Sequence, residues 1–295
     1  MSVRPATSDD LPAIAELFGS VEEAVLGRPS LLDATAVAGW LHGVAFETNT
    51  WLVEEGGELV AGAFGRTFGE RGNSAGAVRP TAWGLGHGTR LLERLEARFA
   101  EEDVQRIHAW TVAGDEAANE LFLGRGYREV RRFWDMAIDL GEEPPPEAAV
   151  PVEPFREEDA RAFHAALEEA FSAHWEHSPE TFEEWWERQR ARPNFDPSVW
   201  FMIRDGGEIA GATRNDPDVA GGGYVGALGV RPAWRGRGYG RALLLHSFRE
   251  FHRRGFRRVT LGVDAANATG ATQLYESVGM HVDLESVVWE KMLSP

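Results

Sequence analysis

The sequence predicts a mixed α/β fold built as two tandem domains, and three observations carry that prediction. Val78-Arg79-Pro80 with Gly84, Gly86 and Gly88 recurs 152 residues later as Val230-Arg231-Pro232 with Gly236, Gly238 and Gly240. Such a fixed offset marks an internal repeat. Strand-like and helix-like patterns alternate in the same order in both halves, as a mixed sheet flanked by helices requires. Between the halves, Glu142-Glu143-Pro144-Pro145-Pro146-Glu147 can enter neither a helix nor a central strand and reads as a stiff linker. The expected domains are therefore 1–141 and 152–295, joined by 142–151.

Taken in order, Ser8 is placed to cap a helix whose Leu11, Ile14, Leu17 and Phe18 form one apolar face. A second helix is expected around Val37, Trp40 and Leu41. Strands at Trp51–Glu54 and Glu58–Arg66 flank Gly56-Gly57, a hairpin signal. The second half repeats this plan. Phe163, Leu167, Ala170 and Phe171 make a helical face, Ser178-Pro179 reads as the start of the next helix, and strands at Val199–Arg204 and Glu208–Thr213 flank Gly206-Gly207. A strand at Tyr224–Val230, a helix from Arg241 carrying Leu244, Phe248 and Phe251, a strand at Val259–Val263, a short helix ending near Ser277 and a strand at Ser286–Met292 complete the half.

Composition narrows the function classes. The 295 residues are 43% apolar, with 11 Trp and 16 Phe, enough for two cores. No run of 18 apolar residues and no signal sequence is present, so the expected location is cytoplasmic, with no membrane partner. There is no cysteine, hence no disulfide, no thiolate metal site and no catalytic thiol; no metal is expected. The net charge of −17 argues against nucleic acid, which needs a basic surface. Against that background residues 231–258 hold nine Arg and one acid, Glu250. A solvated basic helix face would explain such a run by itself.

The glycines change that reading. Between the strand ending at Val230 and the following helix, Gly236, Gly238 and Gly240 remove side chains from a turn beside a helix N-terminus, where main-chain N–H groups converge on an anion. A diphosphate suits such a cradle without a metal. A Rossmann dinucleotide loop is the competing assignment, but the third motif glycine and the repeated βαβ units are missing.

These residues resemble the GNAT superfamily of acyl-CoA-dependent N-acetyltransferases. Arg235, Gly238 and Gly240 meet its R/Q-x-x-G-x-G/A motif, and Asn267 followed by Ala271-Thr272-Gln273-Leu274-Tyr275 and Gly279-Met280 is similar to its N-x-x-(x)-A-x-x-L-Y-x-x-x-G-F signature, with Met280 in place of Phe. The resemblance covers about 150–295 and, as a decayed copy, 1–140. It implies that acetyl-CoA is the cosubstrate, with its diphosphate on Gly236, Arg237, Gly238, Tyr239, Gly240 and Arg241. Leu228, Gly229 and Val230 would pair with the pantetheine arm, Asn267 would help hold that arm, and Tyr275 would stand near the thioester sulfur as proton donor to the departing thiolate. Direct attack by an amine then needs no covalent enzyme intermediate.

In the first half Trp83 stands for Arg235, Leu85 for Arg237 and Phe122 for Tyr275, and residues 79–106 hold five Arg against five acids. This half is expected to have lost chemistry, with His87 a partly exposed residue at a helix start. Tandem domains with a degenerate first half resemble the mycothiol synthase branch, in which a fourth-strand glutamate serves as general base; the aligned residue here is Tyr224. Candidates for the missing base are His174, Glu176, His177, Asp218 and Asp264, and Trp175, Trp185 and Trp186 with Glu176 suggest an aromatic, acidic mouth for an amine, with core packing expected to claim one or two of the tryptophans. The expectation is an acetyl-CoA-dependent N-acetyltransferase acting in its second half on a small-molecule amine. A CoA-responsive binding module without turnover and a protein N-acetyltransferase are the alternatives. The sequence leaves the oligomeric state open.

Overall fold

The computed structural model describes residues 2–192, 194–267 and 269–293. The first half runs β1 (Ser2–Arg4), α1 (Leu11–Leu26), α2 (Ala34–Leu41), α3 (Phe46–Asn49), β2 (Thr50–Glu55), β3 (Glu58–Phe68), β4 (Arg71–Val78), α4 (His87–Glu101), β5 (Arg106–Val112), α5 (Glu116–Gly124) and β6 (Arg128–Asp139). The second runs β7 (Glu153–Pro154), α6 (Ala160–Phe171), α7 (Phe182–Arg190), β8 (Phe201–Asp205), β9 (Glu208–Val219), β10 (Gly222–Val230), α8 (Tyr239–Arg253), β11 (Arg258–Asp264), α9 (Ala271–Ser277) and β12 (His281–Met292). The repeat is visible element by element. No helix among the described residues is long and apolar enough to cross a membrane.

Two caps differ from the sequence expectation. Thr7, not Ser8, opens the first helical segment, because its side chain and that of Asp10 form a reciprocal capping box. Thr181 with Glu184 does the same for α7, three residues beyond the expected Ser178. Both hairpins follow the glycine signal. Gly56 and Gly57 have φ of 61° and 87°, and Gly206 and Gly207 have 64° and 86°, as a type I′ turn requires at both central positions.

By spatial compactness the chain divides into unit 1 (Met1–Trp134, Asp264–Ala266 and Leu284–Pro295) and unit 2 (Asp135–Val263 and Asn267–Asp283). The end strands therefore do not follow the sequence halves. β6 gives its residues from Asp135 onward to unit 2, and β12 gives its residues from Leu284 onward to unit 1. In unit 1, β1 to β4 are antiparallel neighbours in order, β4 is parallel to β5, and Ser286–Met292 of β12 pairs antiparallel with β5. Leu91, Leu92, Leu95 and Phe99 of α4 pack on this sheet with Ile107, Val287 and Trp289.

In unit 2, β7 to β10 are antiparallel in order and β10 is parallel to β11. Phe163 and Leu167 of α6, Trp185 of α7, and Trp200, Met202 and Ile209 form one core. Trp185 is only 5% exposed and Trp186 stacks on it, so core packing accounts for two of the three tryptophans assigned above to an acceptor mouth. Buried Asn215 ties the layers together: its Nδ2 donates to the Val199 carbonyl (2.7 Å) and to Ser247 Oγ on α8 (2.9 Å). The segment expected as a spacer lies along α8, where Arg249 donates to the Pro145 carbonyl at 2.6 Å and Ala148, Val150 and Val152 pack near Leu243.

The second-half helix α8 sits close to β10 because Gly223 has no side chain: a Cβ there would lie 2.5 Å from the Phe251 ring. Gly223→Ala should destabilise the protein by about 1–3 kcal/mol through overpacking. Gly39→Ala, in an α2 position with nothing within 4 Å of the new methyl, should be neutral or stabilising by about 0.5–1 kcal/mol. Urea unfolding midpoints check both; equal effects would contradict the packing argument.

Candidate active site

The site in unit 2 begins where two parallel strands part. β10 pairs with β11 only at Gly223↔Val259 and Tyr224↔Thr260. The corresponding strands of unit 1, β4 and β5, stay paired over five positions, from Arg71↔Arg106 to Ala75↔Trp110. β10 also carries a register shift against β9 between Val225 and Ala227, whereas β4 runs against β3 without one. A bulge of this kind bends the strand and re-aims its backbone. Beyond it, Arg231 N–H donates to the Ala210 carbonyl on the β9 side (3.0 Å), so by strand alternation the N–H groups of Leu228 and Val230 point to the opposite, open edge. Gly229 lets α6 close over this stretch, since a Cβ there would lie 2.7 Å from the Cβ of Ala170.

The glycine turn follows directly. After a 3-10 turn at Pro232–Trp234, Gly236 and Gly238 take φ of 78° and 82°, and Gly238 is the N-cap of α8 with no side chain capping the helix. The N–H groups from Gly236 to Arg241 meet no acceptor among the described residues. Gly240 serves helix packing instead, because a Cβ there would press on Leu274 at 3.0 Å and hold α8 and α9 apart. Open edge, turn and α9 border a cavity of about 350 Å³ lined by Leu228, Gly229, Val230, Arg235, Gly236, Gly238, Tyr239, Gly240, Arg241 and Tyr275, together with Ala170, Phe171, His174, Trp234, Thr269, Gly270, Ala271 and Leu274 on its other walls. Among the described residues no group of three or more His, Asp or Glu is placed to hold a metal ion.

The arginines divide by what they bind. Arg235 spans the turn, donating to the Val230 carbonyl (3.1 Å) and the Ala170 carbonyl (3.0 Å). Arg237 pairs with Asp205 at 2.7 Å, and the Tyr239 hydroxyl donates to the same carboxylate at 2.8 Å. Arg241 is exposed on the cavity wall and has no ion-pair partner among the described residues. The excess positive charge of residues 231–258 is largely neutralised by acids from elsewhere: Arg231 by Glu169 and Glu208, Arg249 by Glu147, Arg254 by Asp196, and Arg258 by Asp139 and Asp283. The basic run is thus mostly a set of ion pairs and not a phosphate-binding patch.

Tyr275 lies on α9 at the cavity wall, 7% exposed. Burial, with a smaller contribution from Tyr224, pushes its phenol up to about 12, so it holds its proton throughout the neutral range. Asn267 does not line the cavity; its Oδ1 accepts the Thr269 N–H at 2.8 Å and shapes the turn before α9. Of the five candidate bases only His174 reaches the cavity wall, its ring tilted against Phe171 with centroids 4.5 Å apart. His177 faces Glu168 at 3.3 Å, Asp264 is bound to Arg131 at 2.7 Å, and Glu176 and Asp218 sit at backbone positions with φ of 57° and 56°. Outside the cavity lining, Asp135 Oδ1 and the Tyr224 hydroxyl both lie near Gly262, 3.4 and 3.5 Å from the position of a Cβ.

Unit 1 keeps the backbone of the turn. Gly84 and Gly86 have φ of 76° and 82°, and Trp83 Nε1 donates to the Val78 carbonyl at 2.6 Å, the counterpart of the Arg235 bond to Val230. The replacement of Arg by Trp therefore keeps the bond to the strand carbonyl while removing the charge. A cavity of about 350 Å³ lies beside this turn, lined by Trp83, Gly84, Gly86, His87 and Phe122 among others. His87 is not partly exposed as expected but 3% exposed: α4 turns it inward, with its Nε2 3.5 Å from Glu55, whereas Tyr239 at the same place in unit 2 makes a hydrogen bond to Asp205.

The profile of the Acetyltransferase (GNAT) family matches residues 22–127 and 160–280. The chain is 31% identical over 265 residues to the mycothiol acetyltransferase of Thermobifida fusca (strain YX), covering 81% of this chain and 80% of that one. It is 32% identical over 251 residues to the enzyme of the same name from Catenulispora acidiphila, 79% of each chain. The crystal structure of a GCN5-related N-acetyltransferase from Sphaerobacter thermophilus superposes with a TM-score of 0.86 at 34% identity, over 100% of this chain and 96% of that one. A tandem GNAT protein from the clavulanic acid biosynthesis pathway shares the fold, with a TM-score of 0.72 at 16% identity over 100% and 99% of the two chains.

Arg235→Ala should cost about 1–2 kcal/mol by leaving the Val230 and Ala170 carbonyls without their donor. Arg241→Ala, which removes no such bond, should leave stability within about 0.5 kcal/mol. Thermal unfolding of the two variants checks this; equal stability would show that Arg235 does not clamp the turn.

Proposed function

The chain belongs to the GNAT family of acetyltransferases, and from that premise we propose that it transfers the acetyl group of acetyl-CoA to a primary amine of a small metabolite, with the chemistry in unit 2. One observation carries the choice of unit: the open β10 edge, the unpartnered N–H groups of the glycine turn and a protonated phenol line one cavity there. In unit 1 the phenol's place is taken by Phe122, which has no proton to give.

The residues present fit the cosubstrate. The N–H groups from Gly236 to Arg241, with the Arg241 guanidinium beside them, are a site for the diphosphate. The N–H groups of Leu228 and Val230 meet an amide-bearing arm as a neighbouring strand would, and one of them polarises the thioester carbonyl. The amine attacks the carbonyl carbon, the carbon–nitrogen bond forms, and the carbon–sulfur bond breaks. The departing thiolate takes the Tyr275 proton. Asn267 acts on the cosubstrate only through the Thr269 turn that it shapes. The relatives named as mycothiol acetyltransferases support an amine on a small molecule as acceptor.

Tyr275→Phe should lower kcat about 10²-fold while leaving acetyl-CoA affinity unchanged. Arg241→Ala should do the reverse, weakening acetyl-CoA binding about 10-fold with little change in kcat. Because burial raises the phenol above its ordinary value of about 10, the wild-type rate should not lose this donor on going from pH 7 to about pH 10. Thiol release and calorimetric titration measure all three. Full activity in Tyr275→Phe would remove the donor from the mechanism.

A further inference from the structure

We propose that the groove between α4 and the β1–β2 edge of unit 1 binds an extended, acidic peptide segment of another polypeptide, in the way that unit 2 holds its own residues 145–152. This goes beyond acetyl transfer and does not rest on it. The groove is a cavity of about 390 Å³ with Val3, Val53 and Leu91 as its apolar floor and Arg90, Arg94 and Ala97 along α4. The internal repeat supplies its counterpart. Counted from the hairpin glycines, Val53 corresponds to Ile203; counted from the glycine turns, Leu91, Arg94 and Ala97 correspond to Leu243, His246 and Arg249. In unit 2 that face is covered. Ala148, Val150 and Val152, alternate residues of the segment leading into β7, pack with Ile203, Ala242 and Leu243, and Arg249 donates to the Pro145 carbonyl (2.6 Å) and to Glu147 (3.3 Å). His246 and Arg249 are half-buried there, whereas Arg94 and Ala97 are exposed.

Shape, charge and an unsatisfied side chain all suit such an occupant. A floor of Val3, Val53 and Leu91 beside a helix accepts every second side chain of an extended segment, the spacing that Ala148, Val150 and Val152 use in unit 2. Arg94 has no ion-pair partner among the described residues, and Glu93, the one acid of the lining, is bound to Arg125 at 3.0 Å. The groove therefore presents positive charge to an acidic segment, as Arg249 does to Glu147. His87, which also lines the groove, is 3% exposed, and neither of its ring nitrogens makes a hydrogen bond among the described residues. Burying such a group unpaired is costly, and a peptide main chain brings both N–H and carbonyl groups to satisfy it. Tyr239, at the same place in unit 2, has its hydroxyl satisfied by Asp205 and packs in the cluster that the covering segment completes.

The test uses the full chain and a capped, labelled peptide of residues 142–152 as probe, since that sequence fits the sister groove. The tethered segment holds its own place in unit 2 at a high effective concentration, which leaves unit 1 to the free peptide. Fluorescence anisotropy should show saturable binding with a Kd below about 1 mM, and NMR shift changes should centre on Val3, Val53 and residues 87–97. Arg94→Glu, an exposed change that should leave folding intact, should weaken binding about 10-fold, and so should a peptide with lysine at positions 142, 143 and 147. Ala97→Arg, which installs the counterpart of Arg249, should tighten it about 3- to 10-fold. No saturation, equal binding by Arg94→Glu, or shift changes along α8 in place of α4 would overturn the proposal. Two further outcomes would replace the peptide with another occupant and overturn it as well: self-association in sedimentation that Arg94→Glu abolishes, or shift changes at α4 with hexanoate and none with the peptide.

Discussion

The site depends on the early end of the β10–β11 ladder. Two parallel pairs and then none leave main-chain N–H groups of Leu228 and Val230 without strand partners, an arrangement that normally costs stability unless something else satisfies them. Local packing sustains it. At the bulge Gly226 lies against the Arg214 guanidinium and the Asp216 carboxylate, where a Cβ would come within 2.4 Å and 2.7 Å of their atoms. A buried ion cluster thus occupies the space that a regular strand with side chains would need, and the strand bends away from β11. In unit 1, where no bulge interrupts β4, the strands remain joined for three further pairs.

The two units share a backbone plan and differ in where charge and protons sit. Both have a positive-φ glycine turn, a side-chain N–H bond from residue 83 or 235 to the preceding strand's carbonyl, and a first helical residue placed near a carboxylate at the end of the second strand. Conformational demands of the turn preserve these features whatever the turn binds. Unit 2 adds Arg241 beside the amides and Tyr275 beside the open edge; the corresponding positions of unit 1 are Thr89 and Phe122. Unit 1 thus keeps the shape of the turn without these two ionisable groups.

Much of this was legible in the sequence because it is local. A glycine with positive φ, a hairpin, a repeated motif and a tyrosine at a fixed step from a glycine turn each depend on neighbours within a short stretch of chain. What the sequence concealed depends on distant partners. Arg231, Arg237 and Arg254 read as a basic run, yet Glu169, Asp205 and Asp196, which neutralise them, lie between 32 and 62 residues away. Trp83 reads as a loss of Arg235, but its indole N–H makes the same bond.

Hydrogen exchange at single-residue resolution, with and without acetyl-CoA, tests the central claim most directly, since that claim concerns main-chain amides. The expected result is new protection at Leu228, Val230 and Gly236 through Arg241. Protection confined to the turn at Gly84 through Thr89, or no change at either turn, would contradict it.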